Sequence, residues 1–277
     1  MTPESTVGAA PRLRIIYRSH GGENVKDRPA YYSKLLGLAS VARAVEESSL
    51  SPLPQMIFWN DGPIPADRVE LMRRCGEVVQ IEGGSNRASY RAAIEMATRS
   101  DWGAGDLVWF AEDDYLYRPN SFRLLMEAVR RIPEADYLSM FGGCALDLSV
   151  PRTSPRALPH LGAVDAVTID VDGLLWFRGV STTSTFGVRL AVLRQDRRLL
   201  RALPFTGGSW DLTTCLSIQG LQPFTWSEVG SELLPFTGRA PKEWPAAIAR
   251  GALASAANLR SRRVGRHRRR LFLSDPI

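Results

Sequence analysis

Apolar residues in this chain follow two alternating rhythms. Short uninterrupted runs such as Ile15-Ile16-Tyr17, Met56-Ile57-Phe58-Trp59 and Leu107-Val108-Trp109-Phe110 have the length and β-rich composition of strands buried on both faces. Between them lie segments with helical spacing. The pattern predicts a strand over 12–19, a helix over 31–48 with Pro29 in its first turn, a strand in QMIFWNDG (55–62) and a helix over 66–75. A strand in GEVVQIEGG (76–84), a helix over 85–100 and a strand over 106–111 follow. That βαβαβαβ order predicts a parallel sheet.

The second half is less regular. SFRLLMEAVRRI, from Ser121, is an amphipathic helix, and 136–143 reads as a strand. Residues 144–161, rich in Pro, Ser and Arg, read as a long loop that closes over a ligand. Asp172-Gly173 between two β-rich runs predicts a hairpin. STTSTFGVRLAVL reads as a strand passing into a helix that ends near Leu203, GGSWDLTTCLSIQG as a Gly-rich turn and helix, and FTWSEVGSELL as a last strand and loop. The expectation is an α/β fold with a parallel N-terminal half and a mixed C-terminal half. It comprises a disordered leader (1–11), one domain (12–240) and a basic amphipathic tail (241–277).

Composition narrows the class. A chain of 277 residues, 44% hydrophobic, can bury a substantial core. Cys75, Cys144 and Cys215 are odd in number and widely spaced, which argues against a disulfide framework or a zinc site and for a reducing, cytoplasmic setting. No secretory signal and no run of about 18 apolar residues is found. The net charge of +6 suggests nucleic acid until its distribution is inspected. Seven arginines lie within 260–270, and without those seven the +6 becomes −1, so basicity belongs to the tail. Ile248, Ala252, Ala256 and Leu259 fall on one helical face there, ahead of the arginines and Leu271-Phe272-Leu273. Each basic residue contributes about 1 kcal/mol at an anionic leaflet. The tail therefore predicts peripheral membrane contact at the inner face, its apolar end inserting, and a lipid-linked acceptor would suit it. A solvated tail and a nucleic-acid contact are the alternatives.

The chemistry centres on DLVWFAEDDYLYRPNSF (106–122). Glu112, Asp113 and Asp114 follow a buried strand directly, an arrangement that costs several kcal/mol unless a cation is present. A divalent metal would serve. Pro119-Asn120 break the chain before the next helix, so the acids occupy a strand-to-helix loop, the rim where open α/β sheets bind ligands. RSHGGENVKDRP after the first strand carries neither G-x-G-x-x-G nor a P-loop. There is no G-x-S-x-G elbow, and His20, His160 and His267 stand in unrelated contexts.

Taken in order, these motifs resemble GT-A glycosyltransferases over roughly 12–220. The acidic loop resembles the family's DXD motif, which holds Mg²⁺ or Mn²⁺ against the diphosphate of a nucleotide sugar. The resemblance implies a metal on Asp114 and Asp113, with Glu112 assisting. It implies donor contacts from Asp61 in FWNDG, from Asn86, Arg87 and Arg91 in SNRASYRAAIEMA, and from Glu112 and Asp113. TGGSWDLTTCLSIQG resembles the acceptor-side helix of inverting members, making Trp210 a sugar-stacking residue and Asp211 the general base. Glu112 stands where the family usually has Asp, and the late histidine ligand of many members is absent from FTWSEVGSELLPFTGRA. The reading is transfer of a sugar from a nucleoside diphosphate sugar to a hydroxyl acceptor with inversion. A nucleotidyltransferase and a non-catalytic binding module are its rivals.

Overall fold

In a computed structural model of the protein, residues 11–22, 28–140, 168–179, 181–206, 210–234, 243–263 and 269–274 are described. The segment 144–161, expected to be a closing loop, lies outside them, as do the Gly207-Gly208 turn and most of the leader. Strands β1 (Leu13–His20), β2 (Gln55–Asp61), β3 (Glu77–Ile81) and β4 (Leu107–Glu112) alternate with helices α1 (Lys34–Glu46), α2 (Ala66–Cys75) and α3 (Asn86–Arg99). All three pairings among these strands are parallel, as expected. Helix α1 starts later than Pro29 suggests, because Ser33 caps it and accepts the Leu36 N–H at 3.1 Å.

Helix α4 (Ser121–Arg131), β5 (Tyr137–Ser139), the β6–β7 hairpin (Thr168–Val171, Leu174–Arg178), β8 (Phe186–Arg189) and α5 (Leu190–Ala202) follow. Asp172 and Gly173 turn the hairpin with φ of 54° and 81°, the left-handed values that an Asp-Gly pair accommodates. A 3₁₀ turn (Leu203–Thr206), α6 (Trp210–Ile218), α7 (Trp226–Leu233), α8 (Trp244–Arg263) and β9 (Leu271–Ser274) complete the order. The sheet runs β3-β2-β1-β4-β8-β5-β9-β7-β6. Strand β8 is antiparallel to β4 and β5, so the C-terminal half is mixed, as expected.

Two apolar layers explain the uninterrupted runs. Ile15 and Tyr17 of β1 and Trp109 of β4 pack with Leu38, Met72, Phe122 and Val129 on one face. Ile16, Val108 and Phe110 pack with Tyr90, Ile94, Leu193 and Ile218 on the other. After β3 the chain crosses back to place β4 on the far side of β1, and this reversal opens a crevice at the C-terminal strand ends.

Two expectations are corrected. FTWSEVGSELL forms helix α7 rather than a strand, because Thr225 and Glu228 make a reciprocal capping box. The end of the tail is no lipid anchor either. Leu271, Phe272 and Leu273 are buried in β9, which pairs parallel to β5 and antiparallel to β7. Arg269 is bound to Asp196 at 2.9 Å. Helix α8 buries Ala247, Ala254 and Ala257 and leaves Ile248 and Leu259 in solvent. No helix among the described residues is long and apolar enough to cross a membrane.

The domain therefore extends past residue 240. Leu273→Ala should cost about 2–5 kcal/mol, the usual range for a buried leucine, and a chain ending at Arg263 should lose cooperative melting. A truncated chain that melts at the wild-type temperature would place the segment outside the sheet.

Candidate functional site

The crevice is a cleft of about 650 Å³ at the ends of β1, β2 and β4, closed on one side by the start of α3 and on another by the start of α6. Five carboxylates border it: Asp61, Glu112, Asp113, Asp114 and Asp211.

Strand alternation separates the acids of the β4 loop. Glu112 follows Phe110 and points to the α3 side, where Arg18, its register partner on β1, lies with Nη1 at 3.7 Å from Glu112 Oε1. Asp113 takes the opposite side. Its Oδ2 accepts from Lys34 Nζ at 2.8 Å and from the His20 N–H at 3.1 Å, and Lys34 is only 1% exposed. Asp114 is paired with Arg28 at 2.6 Å. Each acid thus has its own cation, from the end of β1, the first residue of α1 and the segment before it. Asp113, expected as a metal and donor ligand, borders the cleft and is held in an ion pair by the buried Lys34.

Glu112 has its pKa raised to about 7, first by burial, against which Arg18 pulls it down while Asp114, Asp211 and Asp113 push it further up. Across the cleft Asp211, on the first turn of α6, accepts from Ser184 Oγ at 2.9 Å. The structure thus brings Glu112 and Asp114 of the β4 loop and Asp211 of α6 to one cavity from two separate stretches of chain. Asp61 reaches its rim while accepting the N–H groups of Gly83 and Gly84 at 2.8 and 3.0 Å. That contact is a tight one. A Cβ on Gly83 would come within 2.6 Å of Asp61 Oδ2.

Other expected residues are placed differently. Asn86 borders the cleft, and its side-chain and backbone oxygens accept from Arg18. The guanidiniums of Arg87 and Arg91 instead lie over Phe205, at 5.4 and 4.7 Å from its ring centre. Trp210 packs on Tyr90 at 4.9 Å within the core layer rather than lining the cleft as a sugar platform. Sequence reasoning missed Arg18, Arg28, Lys34 and Ser184. A basic residue near the end of a buried strand, as in RIIYRS, was the one available signal for Arg18.

A metal fits the donor set in a limited way. Among the described residues Glu112, Asp113 and Asp114 each meet a cation, while Asp61 and Asp211 border the same cleft, a concentration of carboxylates suited to a divalent ion. Among the described residues, however, no three His, Cys, Asp or Glu groups converge to hold one. Such a set matches Mg²⁺-type binding, in which one or two carboxylates act together with substrate phosphates.

Glu112 also gives a test of the cleft's electrostatics. An acid with a folded pKa near 7 and an ordinary value of 4.5 holds more protons folded than unfolded between those values. Stability should therefore fall as pH rises through that window and stay flat above it, by up to about 3 kcal/mol. In metal-free buffer, Glu112→Gln should remove that slope from urea-denaturation curves. A slope identical to wild type would show that Glu112 ionises normally.

No family model and no curated protein matches the chain. Solved structures do resemble it. Glucosyl-3-phosphoglycerate synthase from Mycobacterium tuberculosis, in complex with Mn²⁺, UDP-glucose and phosphoglyceric acid, is 15% identical with a TM-score of 0.45, over 78% of this chain and 70% of that one. TarS 1–349 of S. aureus is 13% identical with a TM-score of 0.45, over 91% and 74%. A CMP:2-keto-3-deoxy-manno-octonic acid synthetase with CTP is 12% identical with a TM-score of 0.41, over 95% and 90%. At these scores the likenesses carry no argument about activity.

Proposed function

We propose that the cleft transfers a sugar from a nucleoside diphosphate sugar to a hydroxyl acceptor. One observation carries the reading: Asp211, held by Ser184, faces Glu112 and Asp114 across a cavity large enough for a ligand. Carboxylates on the β4 loop and a separate carboxylate on α6 divide the work that such a transfer needs. One group attends to the leaving diphosphate and the other to the incoming hydroxyl.

Asp114, with Glu112, would hold a divalent ion, which when bound supplies charge neutralisation for the diphosphate. Asp114 would leave Arg28 to do so, and Arg28 would then be available as a cation for phosphate oxygens. The start of α3, where Ser85 caps the helix and Asn86 faces the cleft, presents N–H groups suited to an anion. Asp211 would accept the hydroxyl proton as the new bond forms, a contribution of about 10²–10⁴-fold. Asp211 stands on the first turn of α6 and is oriented there by the Ser184 hydroxyl. A base acting from across the cleft on a direct displacement inverts the anomeric centre.

The test begins with a panel of nucleoside diphosphate sugars and Mn²⁺, in which slow donor hydrolysis is expected. Release of pyrophosphate from a nucleoside triphosphate and a sugar phosphate would instead mean nucleotidyl transfer. Asp211→Asn should lower turnover by at least about a hundredfold while sparing donor affinity and melting temperature. A variant that melts early but turns over normally would reduce Asp211 to a structural role, and a product of retained configuration would sink the inverting mechanism.

A further inference from the structure

Arg87 and Arg91 are the feature that the cleft leaves unexplained. They stand one turn apart at the start of α3, a spacing at which like charges repel. Both guanidiniums nevertheless lie over the same ring, that of Phe205, which is 39% exposed. Stacking holds the two cations together, and neither has a carboxylate partner among the described residues. Their neighbours differ. Arg99, Arg197 and Arg201 all reach Glu95, farther along α3, at 2.7, 3.5 and 2.9 Å. Three arginines of the α3–α5 face thus share one glutamate and a fourth, Arg194, is bonded to the carbonyls of Thr98 and Ser100, whereas the two nearest the cleft have neither a carboxylate nor a carbonyl partner among the described residues. Arg91 Nε is, in addition, buried without a hydrogen-bond partner.

Position gives the pair its meaning. Arg87 follows Asn86, which borders the cleft, and Phe205 belongs to the turn that leads into α6. Tyr90, between the two arginines, packs on Trp210, the neighbour of Asp211. The pair is thus tied to the turn before α6 and, through Tyr90 and Trp210, to the α6 wall that carries Asp211. Guanidiniums held by stacking keep their N–H edges available for bidentate contact with an oxyanion.

We infer that Arg87 and Arg91 form an anion site for the acceptor, selecting a hydroxyl compound that also carries a phosphate or carboxylate group. The word acceptor rests on the proposed transfer; the anion site does not. It assigns the pair to the substrate other than the nucleotide sugar and accounts for two arginines beside the cleft that have no carboxylate partner among the described residues.

The experiment is calorimetric titration of the full chain at constant ionic strength, with a nucleoside diphosphate and Mg²⁺ present to fill the donor side. The probes are glycerol phosphate, gluconate and neutral glycerol. Wild type should bind at least one of the two anions, and bind it more tightly than glycerol, the tighter one naming the group recognised. Arg87→Gln with Arg91→Gln should weaken that binding by about tenfold or more, whereas Arg87→Lys with Arg91→Lys should keep part of it. Nucleoside diphosphate affinity should stay unchanged in both doubles. No preference for anions in the wild type, or full anion binding in the Gln double, would overturn the inference. An equal loss of nucleoside diphosphate affinity would also overturn it, returning the pair to the donor. None of these readouts needs turnover, so failure of sugar transfer and failure of this site are seen separately.

Discussion

Three carboxylates in succession at the end of a strand buried on both faces must each be compensated, and much of the cleft follows from how. Arg18, Lys34 and Arg28 approach Glu112, Asp113 and Asp114 at 3.7, 2.8 and 2.6 Å. The Lys34–Asp113 pair fastens the start of α1 to the β4 loop and, through the His20 N–H, to the end of β1. Removing one member of such a pair leaves a buried charge and costs about 3–5 kcal/mol. The acids therefore locate the elements around them as well as lining a cavity.

Alternation then decides which acids are chemically available. Odd positions of β4 face the α1–α2–α4 layer and even ones the α3–α5–α6 layer, so Glu112 and Asp113 point apart. Glu112 meets the side that carries Asp211, and Asp114 borders the same cleft while paired with Arg28. Burial is the main reason that the pKa of Glu112 is raised, and the neighbouring Asp114, Asp211 and Asp113 push it further up against the pull of Arg18. A site of this kind offers a metal few protein ligands, and relies on an incoming phosphate to complete the set.

Much of this was legible in the sequence. The apolar runs of β1 to β4 and the intervening helices are local signals, and they placed the acid loop at the strand ends. Glu112 could be singled out because it ends a buried apolar run, and Asp211 because TGGSWDLTTCLSIQG resembles the acceptor-side helix of GT-A enzymes. Which cations meet Glu112 and Asp113 could not be read, since Arg18 and Lys34 reach them across about ninety and eighty residues of chain, and pairing at that range is set by the fold. The tail misled for a related reason. Four strand residues behind an arginine run look like an amphipathic end until β5 and β7, far away in sequence, are seen to flank them. Helix α7 was a different kind of miss, because Thr225 and Glu228 carried a local capping-box signal that the β-rich composition of FTWSEV obscured.

On the proposed reading the cleft binds a nucleoside diphosphate and a divalent ion together, the described protein residues alone giving the ion too few ligands. Titration of Mn²⁺ followed by electron paramagnetic resonance measures this directly. Weak binding to the protein alone should tighten by about tenfold or more when a nucleoside diphosphate is added, and the gain should vanish in Asp114→Asn. Mn²⁺ affinity that is indifferent to the nucleotide, or a gain that survives the loss of Asp114, would contradict the account.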